Sequence, residues 1–124
     1  MTGEAAPQKP PRIFAMPFAR VYPEYVRKAE RKGRTQAEVD TLIAWYTRYD
    51  AAALAAHLAA GTSNADFFAQ AELNPAGSLV TGMICGIRVE AIEDPTMRAI
   101  RVLDKLIDEL ARGRPMERIL RNAG

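Results

Sequence analysis

The most constraining feature of the sequence is a stretch without any charged residue, from position 79 to 87. Leu79, Met83 and Ile87 recur in it at intervals of four, which is typical of one face of a helix. A helix that is apolar on all sides has to be enclosed by the rest of the chain. The run is too short for a bilayer, which requires about 20 apolar residues. It therefore predicts a buried central helix over residues 79–92.

A buried strand is the alternative for this stretch, because several of its residues are β-branched. Gly82 and Gly86 lie four apart and favour the helix, since small residues at that spacing allow another backbone to approach closely. The same two glycines also permit a gap for a ligand, although close helix packing is the more common use of the pattern.

A long amphipathic helix is predicted over residues 95–112. Asp94 and Pro95 form a good helix start, with a side-chain acceptor followed by a residue whose fixed φ suits the first turn. Apolar residues then recur every three or four positions on one face, while the opposite face is charged. Gly113 supplies the stop.

Shorter helices account for most of the remaining chain, joined by short turns. Thr35 and Glu38 have the spacing of a capping box, and Pro23 and Gly33 frame an earlier helix. The predicted fold is all-α, a compact orthogonal bundle of about six or seven short helices around the central helix. Ile13 and Phe14 are expected to lie extended.

The length and composition of the chain predict one domain. A chain of 124 residues, 48% of them hydrophobic, can bury a sizeable core. Residues 1–11 are predicted to be a flexible tail, and residues 12–124 a single helical domain. The single cysteine excludes an internal disulfide, and no stretch suits a signal peptide or a membrane span, so a cytoplasmic location is expected.

Several motifs together resemble a known family. They include Val21-Tyr-Pro-x-Tyr25, Lys32-Gly-Arg-Thr35, Ile92-Glu-Asp-Pro95 and Leu103-Asp-Lys-Leu-Ile-Asp-Glu-Leu110, in the order that the family has them. The chain is similar, from about residue 11 onwards, to small bacterial proteins catalogued as domain of unknown function 2200. The resemblance implies a mainly helical fold. It implies no activity, cofactor or catalytic residue.

Aromatic residues suggest a small-ligand site. Tyr22, Tyr25, Trp45 and Tyr46 can line a pocket between the first two long helices, with Arg88 as a polar partner. Tyrosine and tryptophan suit ligand sites because each joins an apolar body to a polar tip. At helical spacing the same residues are more often plain core.

Basic residues form two clusters, at positions 27–34 and 112–121, whereas the segment 38–72 is acidic. Such clusters attract phosphate without reading sequence. The residues in question are Arg27, Lys28, Arg31, Lys32, Arg114 and Arg118. The net charge of +2 does not distinguish a nucleic-acid surface from a solvated helix face.

Catalysis has little support in the sequence. Cys85 is expected to be a buried, inert core residue, and His57 lies far from it along the chain. No metal site or cofactor is predicted, and the acids Glu90, Glu93 and Asp94 are assigned to helix capping and surface pairing. The favoured function is a non-catalytic binding module for a protein partner or a small ligand, with self-association possible. A weak nucleic-acid binder is the alternative, and an enzyme using Cys85 comes third.

Overall fold

The computed structural model describes residues 10–122, so most of the predicted tail lies outside the described residues. Within this range the chain is helical, as predicted, with a small two-stranded sheet. None of the helices between residues 10 and 122 combines the length and the apolar character of a membrane span. The α-helices are α1 (Arg12–Ala15), α2 (Phe18–Glu30), α3 (Gln36–Thr47), α4 (Ala51–Ala60), α5 (Asn64–Ala69), α6 (Pro95–Ala111) and α7 (Met116–Ile119).

Helix α6 is the element around which the others pack, and it contacts α2, α3, α5 and α7. Asp94 caps it by accepting a hydrogen bond from the Met97 N–H at 2.9 Å, which confirms the predicted start. Met97 in its first turn is partly buried, and the later apolar residues of the predicted stripe are buried: Ile100, Leu103, Leu106, Ile107 and Leu110. The predicted amphipathic helix is therefore correct, and it takes the central position expected for residues 79–92.

The predicted central helix over residues 79–92 is wrong. The segment consists of a 3-10 turn (Pro75–Leu79), the strands β1 (Met83–Ile84) and β2 (Ile87–Arg88), and a second 3-10 turn (Val89–Ala91). Leu79, Met83 and Ile87, the stripe that suggested the helix, are 46%, 50% and 41% exposed.

The reason for this error is the conformation of the glycines. Gly82 and Gly86 adopt φ values of 108° and 80°, which a right-handed helix excludes. Between residues 79 and 92 the buried residues are two fully enclosed valines, Val80 and Val89, which anchor the segment to the core. The strand alternative is also incorrect as a buried strand, because each strand has two residues and the hairpin lies at the surface.

The N-terminal part of the described chain closes the core with aromatic rings. Phe18 stacks on Phe67 with their ring centroids 3.8 Å apart, and both side chains are buried. Ile13 and Phe14, expected to be extended, lie in the single turn α1, which packs against α5. The Asn64 side chain holds the two together by donating a hydrogen bond to the Ile13 carbonyl at 2.8 Å.

Candidate functional site

A cleft of about 440 Å³ lies between helices α2, α3 and α4. Helix α2 supplies one tyrosine, α3 supplies a mostly polar wall, and α4 supplies a mostly apolar one. The lining residues are Tyr22, Gln36, Asp40, Thr41, Ala44, Tyr49, Asp50, Ala51, Leu54, Ala55 and Leu58.

A chain of hydrogen bonds fixes the polar wall of the cleft. Gln36 Nε2 donates to the Tyr22 hydroxyl at 2.8 Å, and that hydroxyl donates to Asp40 Oδ1 at 2.6 Å. Burial and the neighbouring Asp40 carboxylate raise the pKa of Tyr22 to about 12. Tyr22 therefore stays a neutral donor to Asp40 throughout the physiological range of pH.

The start of α4 positions the residues that form the second wall of the cleft. Asp50 caps this helix by accepting a hydrogen bond from the Ala53 N–H at 2.8 Å, which places its carboxylate at the cleft. Leu54 and Leu58 recur at the helical interval and line the cleft from one face of α4, together with the small side chains of Ala51 and Ala55. The result is a concave surface with an apolar floor and two carboxylates.

The structure does not bring the five predicted ligand residues together. Tyr22 lines the cleft, whereas Tyr25 and Tyr46 are buried in the core. Trp45 lies on another groove, beside α7, and Arg88 is exposed on the hairpin, where it pairs with a glutamate. The predicted pocket between the first long helices thus contains Tyr22 with a different set of neighbours.

Sequence reasoning missed Asp40, Gln36 and the leucines of α4 as site residues. The sequence contained a signal for Asp40, because the segment 38–72 holds five acidic residues and one basic residue. Asp50 was recognisable as a helix cap, but its presence in the same cleft as Asp40 depends on how the helices pack.

All four tyrosines of the chain have raised pKa values. The pKa of Tyr46 rises to about 12 through burial, that of Tyr49 rises for the same reason, and that of Tyr25 rises well above its ordinary value through burial and the adjacent Asp104 carboxylate. Since the folded state holds these phenols neutral, it gains stability from them below about pH 10 and loses it as pH rises towards 12 and beyond.

We therefore expect the native protein to show little tyrosinate absorbance at 295 nm at pH 10, where phenols of the unfolded chain are about half ionised. The measurement is a pH titration of absorbance with and without denaturant. Coincident native and denatured titration curves would contradict the burial of these side chains.

The two predicted basic clusters meet at a second groove, of about 750 Å³, between the C-terminal ends of α2 and α6. Lys28, Arg31, Lys32 and Arg112 line it. Asp108 partly neutralises this groove, since it pairs with Lys28 at 3.2 Å and with Arg112 at 2.9 Å.

The other predicted basic residues lie outside that groove. Arg27 pairs with Glu24, and Arg114 pairs with the buried Glu109 at 3.1 Å, so both have protein partners. Arg118 is exposed on α7 and forms no ion pair within residues 10–122. A basic side chain near the end of a helix also interacts favourably with the helix dipole, which accounts for part of the cluster.

Cys85 is exposed, which contradicts the prediction of a buried core cysteine. It occupies the tip of the β1–β2 hairpin with a φ of 51°, next to Gly86 at 80°, and two residues in this left-handed region form a tight two-residue turn. Arg101 Nη1 lies 3.8 Å from its sulfur and 2.8 Å from Asp104 Oδ2. His57 is elsewhere, hydrogen-bonded to Thr62, so the two residues form no catalytic pair.

The turn allows a simple stability prediction. Asparagine tolerates the left-handed region better than cysteine does, so Cys85→Asn is expected to raise the free energy of unfolding by about 0.5–1 kcal/mol. Urea denaturation of both proteins measures the difference. A loss of stability would mean that the contact between the sulfur and Arg101 outweighs the backbone strain.

The comparisons with known proteins agree with the fold. A sequence profile described as "Uncharacterized protein conserved in bacteria (DUF2200)" matches residues 12–121. The chain belongs to this family. The resemblance inferred from its motifs is thereby confirmed.

A solved structure has a similar fold. The crystal structure of the uncharacterized protein SP1917 is 38% identical, with a TM-score of 0.83, and the match covers 92% of this chain and 94% of that one. Among curated proteins, none matches this chain. The DUF2200 family and SP1917 are both described as uncharacterized, so they leave the function to be argued from the site.

Proposed function

We propose that this DUF2200 protein is a non-catalytic binding module that accepts a small ligand in the cleft between α2, α3 and α4. The observation that carries the proposal is the composition of that cleft. Its volume of about 440 Å³ lies within the range of small-molecule sites, and its leucine and alanine floor is bordered by a few convergent polar groups. A ligand with an apolar body and a polar end would match it.

The chemistry of the lining residues favours binding over catalysis. The lining contains no thiol or serine nucleophile and no histidine or lysine base, and its threonine hydroxyl already donates to a backbone carbonyl. The 2.6 Å hydrogen bond from Tyr22 to Oδ1 of Asp40 holds both side chains in place, which supports a fixed recognition surface. A cytoplasmic location stays a prediction from the sequence.

The proposal is tested with a variant that fills the cleft. Ala55 lines it, whereas Ala56 is exposed on the same helix and does not. Ala55→Phe is expected to abolish binding of the compounds that the wild type selects from a fragment library, while Ala56→Phe retains it. Backbone amide shifts in ¹H–¹⁵N NMR spectra report both the binding and the fold. Equal binding by the two variants would place the ligand elsewhere and refute the proposal.

Weak, sequence-independent nucleic-acid binding is the second candidate. It is favoured by the convergence of Lys28, Arg31, Lys32 and Arg112 on one groove. Arg31 and Lys32 form no ion pair within the described range. Replacing these two by alanine should lower the salt concentration of elution from heparin more than the matched Arg12→Ala and Arg20→Ala double variant does. Equal shifts for the two double variants would refute this candidate.

A further inference from the structure

We infer that the ligand of the cleft is an alkylammonium compound, a primary amine carried on a short hydrocarbon chain. The inference rests on the proposed function, because it assigns a chemical class to the same site. It follows from three properties of the lining: its charge, its supply of hydrogen-bond donors and its floor.

The charge of the cleft is negative. Asp40 and Asp50 are both in its lining, and no lysine, arginine or histidine is. Neither carboxylate forms a salt bridge with any residue between 10 and 122. Each uses one oxygen on a protein donor, since Oδ1 of Asp40 accepts from Tyr22 and Oδ1 of Asp50 accepts from the Ala53 N–H. An anionic ligand would be repelled, whereas a cation would be attracted.

The hydroxyl donors of the cleft are already used by the protein. Tyr22 donates to Asp40, Thr41 donates to the Ala37 carbonyl at 2.9 Å, and Tyr49 donates to the Phe67 carbonyl at 2.6 Å. A hydroxyl has a single hydrogen to donate. Gln36 uses one of its two amide N–H groups on Tyr22, so the cleft offers mainly acceptors and a complementary ligand has to bring most of the donors. A primary ammonium group brings three.

The apolar residues of the cleft indicate which part of the ligand carries the ammonium group. Leu54, Leu58 and three alanines form an apolar floor, and such a floor gains from covering hydrocarbon. A hydrated metal ion would gain nothing there, because hard cations require six or more oxygen ligands. A lining that combines carboxylate acceptors with leucine and alanine side chains fits an amine with an alkyl chain.

The test compares three probes of similar size that differ in charge: butylamine, butanol and butyrate. Each is titrated at pH 7 and low salt into ¹⁵N-labelled protein, and the amide shifts of Thr41, Ala44, Ala51 and Ala55 are followed. We expect saturable shifts with butylamine, with a Kd at least about tenfold lower than that of butanol, and no binding of butyrate.

Three isosteric variants test whether the carboxylates of the cleft are responsible for binding the amine. Asp40→Asn and Asp50→Asn each remove one charge, and asparagine at position 50 still caps α4. Each should weaken butylamine binding by roughly tenfold, whereas Asp66→Asn, on α5 outside the cleft, should change it by less than about twofold.

The outcomes distinguish failure of the amine assignment from failure of the cleft as a ligand site. Absence of butylamine binding, or butanol or butyrate binding as tightly, overturns the assignment to amines, and so does an unchanged affinity in both cleft variants. The cleft itself stays supported in those cases if Ala55→Phe still removes the fragments that the wild type binds. If no compound of any charge binds at the cleft, the proposed function fails as well.

Discussion

Replacing Phe67 with alanine should lower the free energy of unfolding by about 3–5 kcal/mol. Its ring is fully buried, stacks on Phe18 at 3.8 Å, and meets the rings of Tyr49 and Phe68 at 4.9 and 5.2 Å. The loss combines the transfer free energy of the ring with the cost of the cavity left behind, and the surrounding aromatic rings are too constrained to collapse into it.

Chemical denaturation of the wild type and the variant measures this loss. Phe14→Ala provides the matched control, since the same side chain is removed from a half-buried position on α1 and should cost clearly less. Phe67→Ala should also loosen one wall of the cleft, because Tyr49 lines the cleft and its hydroxyl donates to the Phe67 carbonyl. A loss below about 1 kcal/mol would contradict the aromatic core described above.

Arg121→Met should cost about 3 kcal/mol. Arg121 forms two hydrogen bonds with the carboxylate of Glu109, at 2.5 and 2.8 Å, and the Glu109 side chain is 6% exposed. Removing the guanidinium leaves a buried charge whose one remaining ion-pair partner among residues 10–122 is the half-exposed Arg114. Breaking one partner of a buried pair is costly because the remaining charge keeps its desolvation penalty.

Arg118→Met is the control for this second variant. Arg118 lies three residues earlier, is exposed and has no ion pair within residues 10–122, so its removal should change stability by less than about 0.5 kcal/mol. Thermal or urea denaturation compares the two. Equal effects would mean that the loss reflects total charge rather than the contact with Glu109.

The elements that could be predicted are those with local signals at both ends. Helix α6 has a cap, a regular apolar stripe and a glycine stop, and it forms almost where the sequence places it. Helix α3 begins with the capping box of Thr35 and Glu38, in which both reciprocal hydrogen bonds are present. Local hydrogen bonding decides such boundaries, so the sequence contains the information.

The segment 79–92 could not be predicted in the same way. Its apolar spacing of four matches a helix by coincidence, and the two glycines fit a helix or a turn equally well on paper. The structure uses them at positive φ, which turns the stripe of Leu79, Met83 and Ile87 outwards. The exposure of Cys85 follows from the same turn.

The candidate site was predictable only in part. Tyr22 is in the cleft as the aromatic pattern suggested, but its functional neighbours come from two later helices. That Asp40 and Asp50 line one cleft together with apolar side chains depends on how α2, α3 and α4 pack, and no local pattern encodes that arrangement. The hydroxyl groups of the cleft already donate to protein acceptors, and this too is visible only in the three-dimensional structure.

The most direct test of the account is a crystal structure of the protein soaked with butylamine. We expect electron density in the cleft, with the nitrogen about 2.7–2.9 Å from carboxylate oxygens of Asp40 or Asp50 and the alkyl chain against Leu54 and Leu58. A fully hydrated, empty cleft at a saturating amine concentration, or an amine bound only elsewhere on the protein, would contradict it.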